Sequence, residues 1–191
     1  MTSLTKITIH WTAGTGRPTI NELEPYHYLI DEAGECWNGK HKPEDNLNCK
    51  DGNYAAHTGG GNTGNIGVAM CGMAGFQSPK EVGFYPITAY QFEACMQKVA
   101  ELCLLYGIPV TPETVFTHYE FGVRNPKTTS AGKPDITYIP PYPWINANDC
   151  GSFIRSKVKW YLEREKNARL LREHNIFANG LRKERQTNEV V

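Results

Sequence analysis

A single α/β domain with a central mixed β-sheet flanked by helices is what this sequence predicts, and three observations carry the prediction. Short β-like runs at residues 6–10, 26–30, 66–71 and 115–118 are interrupted by one strongly helical stretch beginning at Thr88. The chain has 191 residues, enough for one well-packed domain and too few for two comfortable ones. Strands separated by a helix within so short a chain share one sheet.

Each element has a local reason. In Lys6-Ile7-Thr8-Ile9-His10 the isoleucines alternate with Lys6 and Thr8, the period of a half-buried strand. Tyr26 to Ile30 forms a second strand, which Asp31-Glu32-Ala33-Gly34 turns back through Cys36-Trp37 as a hairpin. Residues 38–53, rich in Lys, Asp, Asn and Gly, read as an exposed loop. Ile66 to Cys71 is a short apolar run bounded by glycines, the pattern of a buried strand. Thr88 and Gln91 make a capping box, and Phe92, Cys95, Val99, Leu102, Cys103 and Tyr106 keep one helical face apolar. Gly107 and Pro109 end that helix, and the strand Val115-Phe116-Thr117-His118 follows.

After His118 the sequence reads as irregular through Trp144, because five prolines between Asn125 and Pro143 oppose a helix. Asp149 to Leu162 reads as a closing helix packed through Phe153, Val158 and Trp160. A domain over residues 1–162 is therefore expected, followed by a charged helical extension over 163–191. That extension, with Leu170, Leu171, Ile176, Phe177 and Leu181 interspersed, reads as a solvated terminal helix. An amphipathic basic segment touching an anionic surface or a partner is the alternative.

Composition narrows the function. Twenty acidic and twenty basic residues balance, so no global field points to nucleic acid or membrane. No apolar stretch approaches the ~20 residues that span a bilayer. Met1-Thr2-Ser3-Leu4-Thr5-Lys6 runs directly into a strand without an apolar signal region, so synthesis and folding in a cytoplasm are expected. The six cysteines form no CxxC pairs, which excludes a zinc ribbon. Cys71, Cys95 and Cys103 read as core residues. Cys36 and Cys49 flank a polar loop, and a disulfide between them is left open. Gly59-Gly60-Gly61-Asn62-Thr63-Gly64 lacks a Gly-Lys-Ser/Thr ending, so it reads as a flexible rim and not a phosphate loop.

The chemistry-bearing residues are His10 and His118, each closing a β-like run, with Lys133-Pro134-Asp135 shortly after the second. Two imidazoles and a carboxylate suit a three-ligand zinc site with a fourth position for water, which the metal makes nucleophilic near neutral pH. Six histidines could also leave two at strand ends by chance, so hydrogen-bonded structural histidines stay open as the other reading.

Six blocks then occur in one order: Ile9-His10-Trp11-Thr12-Ala13, Tyr26-His27-Tyr28-Leu29-Ile30-Asp31-Glu32-Ala33-Gly34, Ala55-Ala56-His57-Thr58-Gly59, Asn65-Ile66-Gly67-Val68, Thr117-His118-Tyr119-Glu120 and Lys133-Pro134-Asp135. This series, over roughly residues 5 to 160, resembles the zinc-dependent N-acetylmuramoyl-L-alanine amidases of type 2. That family includes phage lysozyme-type endolysins and peptidoglycan recognition proteins. The resemblance implies an amidase / peptidoglycan-recognition-like fold, with residues 1–162 as the catalytic domain and Zn2+ as cofactor. It makes His10, His118 and Asp135 the metal ligands, Tyr26 and Lys133 catalytic, and His57 a substrate-groove residue. It further implies that activated water attacks the amide between the lactyl group of N-acetylmuramic acid and L-alanine. Lys133 would stabilise charge on the carbonyl oxygen, while Tyr26 positions water or passes a proton to the departing amine.

Two features depart from the family pattern. Ile136-Thr137 follows Asp135 where many members have Pro-Gly, and the stretch from His118 to Asp135 is long. Asp149 is the fallback carboxylate, although it reads better as a helix N-terminal residue. Glu120 is either a rival base or, preferably, a partner orienting an imidazole. The expected protein is a monomeric phage endolysin acting on bacterial peptidoglycan. It would be held in the host cytoplasm until lysis, without nucleic-acid partner or transmembrane segment. A muropeptide-recycling amidase and a non-catalytic peptidoglycan-binding module are the alternatives. Tyr85, Tyr138, Tyr142 and Trp144 offer loop aromatics on which sugars or stem peptides could stack.

Overall fold

Strand β1 (Lys6–Trp11) pairs in parallel with β4 (Asn65–Met70) on one side and with β5 (Val115–Thr117) on the other. β2 (Tyr28–Ile30) joins β4 in parallel, and β3 (Cys36–Asn38) closes the edge antiparallel to β2. The result is a mixed five-stranded sheet in the order β3-β2-β4-β1-β5. Helices α1 (Ala89–Tyr106), α2 (His118–Arg124) and α3 (Cys150–Asn188) complete the α/β fold. The computed structural model describes residues 3–188, with side chains through Arg172.

The two faces of the sheet differ in chemistry. Ile7, Ile9 and Trp11 of β1, with Ile66, Val68 and Met70 of β4, share one core with Phe92, Cys95, Met96 and Val99 of α1 and Ile154 and Val158 of α3. Successive strand residues point to opposite faces, so Thr8 and His10 lie on the other side. There they are fully buried, which corrects the expectation of a half-exposed strand. Thr8 tolerates this because its hydroxyl accepts from the Asn65 side-chain amide at 2.8 Å.

Helix α1 begins at the predicted capping box, with Thr88 Oγ1 accepting from Gln91 N–H, and ends at Gly107, whose φ of 66° suits a residue without Cβ. The Gln91 side chain then donates to the Ile30 and Cys71 carbonyls at 2.8 and 2.7 Å, fastening the helix to the ends of β2 and β4.

Several expectations are corrected. The second strand starts at Tyr28, two residues later than the sequence pattern indicates. His118 does not close a strand: it opens α2, where Thr117 and Glu120 form a second capping box. Pro126, the first proline of that region, lies beyond the helix. The closing helix runs on without a break into the expected helical extension, but Trp160 is 52% exposed instead of packed. Cys36 and Cys49 are both free thiols. The glycine segment is a pinned turn, in which Gly61 N–H bonds the Thr58 carbonyl and Asn65 N–H the Asn62 carbonyl. Leu170 and Leu171 are exposed, while the side chains of Ile176, Phe177 and Leu181 lie outside the described residues. Among the described residues, no helix is long and apolar enough to cross a membrane.

Candidate metal centre

Parallel pairing of β1 with β5 sets Ile9 beside Thr117, so His10 and His118 emerge next to each other at the carboxyl ends of adjacent strands. Ligands commonly bind at that edge of an open α/β sheet. The two imidazole centroids are 4.6 Å apart. Asp135 arrives on the following loop, anchored by its own carbonyl, which accepts from Tyr119 N–H at 2.6 Å. Its Oδ2 stands 2.9 Å from His10 Nδ1 and 3.0 Å from His118 Nδ1. One donor atom from each of the three residues falls within 4.8 Å of the others. All three residues are buried.

The protonation states favour a cation. Burial lowers the His10 pKa to about 4, outweighing the nearby carboxylate, so this imidazole is neutral at pH 7. Burial also opposes charge on Asp135, but protons on the two rings hydrogen-bonded to Oδ2 more than offset it and hold the carboxyl below the usual carboxylate range; a cation taking the place of those protons would do the same. His118 Nε2 lies 2.9 Å from Ser130 Oγ, which donates its own proton to the Gly59 carbonyl at 2.9 Å. Ser130 therefore accepts from His118 Nε2–H, leaving a lone pair on Nδ1 in the neutral ring. Two lone-pair nitrogens and an ionised oxygen thus converge at hydrogen-bond distance, an arrangement that repels unless a cation occupies it. The donor set fits zinc, whose bonds to such atoms are about 2.0–2.2 Å.

A cavity of about 430 Å³ opens onto this cluster, lined among others by Trp11, Tyr26, His57, His118, Lys133 and Asp135. Five of the six sequence-predicted site residues thus line the cavity, and the sixth, His10, is fully buried with its ring centroid 5.2 Å from that of Tyr26. Burial, then the Asp135 charge, pushes the Tyr26 phenol well above its ordinary value, so it remains a donor at neutral pH. Lys133 is exposed at the rim. His57 faces the cavity with one edge, but both ring nitrogens are engaged inward. Nε2 donates to the Asn65 carbonyl at 3.1 Å, and Nδ1 faces His10 Nε2 at 3.2 Å and Thr58 Oγ1 at 2.8 Å.

Glu120 does not face an imidazole. Its Oε2 accepts from Thr117 N–H and its carboxylate pairs with Arg155, which removes it both as a base and as an imidazole-orienting group. Asp149 is exposed just ahead of α3 and stands outside the cluster. Of the loop aromatics, Tyr138 is buried and stacks on Phe76, whereas Tyr85 and Trp144 are exposed.

Sequence reasoning missed the residues behind the imidazoles. Asn46, fully buried, accepts from Ala55 N–H and donates to the Ala55, Asn62 and Asn65 carbonyls, fixing the segment that carries His57. His27 Nδ1 accepts from Gly67 N–H at 2.8 Å, so its Nε2–H donates to Asn46 Oδ1 at 3.0 Å. Only the histidines among these carry any sequence signal, since a buried Asn or Ser looks like a loop residue until its distant partner is known.

Two imidazoles and a carboxylate buried beside a cavity, on the carboxyl edge of a parallel pair, define a candidate hydrolytic metal centre on an α/β sheet. The family model for N-acetylmuramoyl-L-alanine amidase matches residues 1–133, and the chain belongs to that family. It is accordingly a peptidoglycan amidase. Asp135 lies two residues past the end of the match. Among solved structures, the PlyG catalytic domain is similar at 22% identity and TM-score 0.47, covering 85% of each chain. The amidase LysC from Clostridium intestinale URNW is similar at 16% identity and TM-score 0.43, over 69% of this chain and 80% of that one. Drosophila peptidoglycan recognition protein SD is similar at 18% identity and TM-score 0.45, over 68% and 76%. No curated protein matches the sequence.

Proposed function

We propose that this amidase is zinc-dependent, with His10, His118 and Asp135 as ligands, and cleaves the bond between N-acetylmuramic acid and L-alanine in intact peptidoglycan. The observation that carries this reading is the convergence of His10 Nδ1, His118 Nδ1 and Asp135 Oδ2 on one buried point open to the cavity. Bound zinc supplies a water that is nucleophilic near neutral pH and a Lewis acid for the scissile carbonyl.

The chain's own groups do the rest. Lys133 brings a positive charge to the cavity rim, where it stabilises the carbonyl oxygen as negative charge builds there. Tyr26, a protonated phenol over His10, orients the attacking water or passes its proton toward the departing L-alanine amine. His57 forms part of the wall against which the substrate lies. Residues 1–162 serve as the catalytic unit, and α3 continues as the charged extension.

The biological role we infer is that of a phage endolysin, acting as a monomer and held in the host cytoplasm until lysis. It rests on the resemblance to the type 2 amidases, a family that includes phage endolysins. Mass analysis of digested sacculi tests the chemistry, with free stem peptides beginning in L-alanine as the expected product, alongside about one zinc per chain by elemental analysis. Binding to sacculi without released peptides or stoichiometric metal would instead support the non-catalytic module. Activity on muropeptides but not on sacculi would support the recycling amidase.

A further inference from the structure

The groups that hold the two imidazoles from behind trace back to one short segment. Gly59 offers its carbonyl to Ser130, which receives His118 Nε2–H; Asn65 offers its carbonyl to His57, whose Nδ1 faces His10 Nε2. Thr58 Oγ1 sits between the last two rings, 2.8 Å from His57 Nδ1 and 3.5 Å from His10 Nε2. We propose that residues 57–65, through Ser130 and His57, are a positioning clamp that fixes both imidazoles with Nε2 protonated and Nδ1 free for the metal. The inference rests on the zinc reading above and assigns a role to residues outside the ligand set.

Each arm follows from donor and acceptor counting. A backbone carbonyl only accepts, so His57 Nε2 carries the proton and His57 Nδ1 a lone pair in the neutral ring. That lone pair takes a proton from His10 Nε2–H directly, or from the Thr58 hydroxyl, which in turn accepts from His10. Either route leaves His10 Nδ1 bare. The opposite His10 tautomer would set two lone pairs against each other across 3.2 Å. The His118 arm is stricter, since the Ser130 hydroxyl spends its only proton on Gly59.

Packing shows that the clamp is built to close tolerances. A Cβ on Gly67 would stand 2.5 Å from His57 Cγ, so only glycine at this β4 position lets the ring lie flat over the strand. A Cβ on Gly59 would meet Thr129 Oγ1 at 1.8 Å, so a larger residue there would push the Thr129 side chain, next to Ser130, aside. Ser130 and Thr58 are fully buried, without solvent to replace a lost partner.

The test uses Ser130→Ala and His57→Phe in the full chain, with zinc affinity measured by competition against a chromophoric chelator. Visible spectra of the Co2+-substituted proteins report ligand geometry independently of turnover. Each variant is expected to lose about 10–100-fold in zinc affinity, the usual cost of removing a partner behind a ligating histidine. The Co2+ bands are expected to shift. The double variant should lose the product of the two factors, because the arms act on different rings. Unperturbed circular dichroism of the metal-free variants secures the comparison, and Thr58→Val, isosteric and weaker in effect, stands in for His57→Phe should the latter misfold. Wild-type affinity and spectrum in both variants would overturn the clamp while leaving the zinc reading intact. A wild-type protein that binds no zinc would overturn both.

Discussion

Arg155 grips Glu120 with two parallel bonds, Nη1 to Oε2 at 2.9 Å and Nη2 to Oε1 at 3.0 Å. The same guanidinium donates to the Val115 carbonyl at 3.1 Å, and the same carboxylate caps the first turn of α2 at Thr117. Helix α3 is thereby tied to β5 and to the start of α2, the junction that delivers His118. Gly151 permits the approach, since a Cβ there would collide with the Glu120 carboxylate. The carboxylate nearest in sequence to a proposed ligand is thus a structural brace two residues from the chemistry.

Breaking this brace should cost stability first and metal binding second. Arg155→Ala strands a partly buried carboxylate and an unpaired carbonyl, an expected loss of about 2–4 kcal/mol. Arg155→Lys should recover only part of it, because an ammonium cannot make the two-pronged contact. Urea unfolding measures both. An Arg155→Ala protein as stable as the wild type would show that the junction is held by packing alone.

Lys133 should separate catalysis from metal binding. Its side chain is exposed at the rim while the ligand cluster is buried, so removal leaves the donor atoms untouched. Lys133→Ala is expected to lower turnover by roughly 10²–10³-fold, the scale for losing one group that stabilises a developing oxyanion. Zinc content should stay at the wild-type level. Loss of zinc in this variant would reassign Lys133 to holding the loop that carries Asp135.

How far the sequence reached has a physical explanation. The strands that carry His10 and lead to His118 were legible because alternating isoleucines and short apolar runs mark parallel strands, and such strands leave their last residues side by side. Helix α2 carried its own signal in Thr117 and Glu120, but the prolines downstream dominated the reading although none lies within the helix. Trp160 was misplaced because a helix that outruns its domain stops burying its periodic face. Ser130, Thr58, Asn46 and Asn65 were invisible for another reason. Ser130 and the Gly59 carbonyl stand 71 residues apart in the chain, and Thr8 and Asn65 stand 57 apart, so no local pattern links them.

His27 should give the fold an acid limit. Burial, the largest effect on it, lowers its pKa to about 4 from an ordinary 6.5, against the opposing pull of the Asn46 hydrogen bond. Nδ1 accepts from Gly67 N–H, and a second proton there would set donor against donor. Above pH 6.5 the ring is neutral in the folded and unfolded chains, and its contribution to stability is fully present. As pH falls from 6.5 toward 4 the unfolded chain takes up the proton first, so stability declines by about 1.4 kcal/mol per pH unit for this one group. Below about pH 4 the folded state protonates as well and the loss levels off. The buried rings of His10 and His57 are depressed by the same cause and steepen the decline in the metal-free protein. Unfolding of metal-free wild type and His27→Gln, followed from pH 7.5 to 5, isolates the His27 share. The variant starts from its own stability at pH 7.5, but its slope below pH 6.5 should be shallower by the share of one proton. Equal slopes would mean that Gly67 and Asn46 release the ring as it protonates, and that the buried network behind the metal centre is looser than its hydrogen bonds imply.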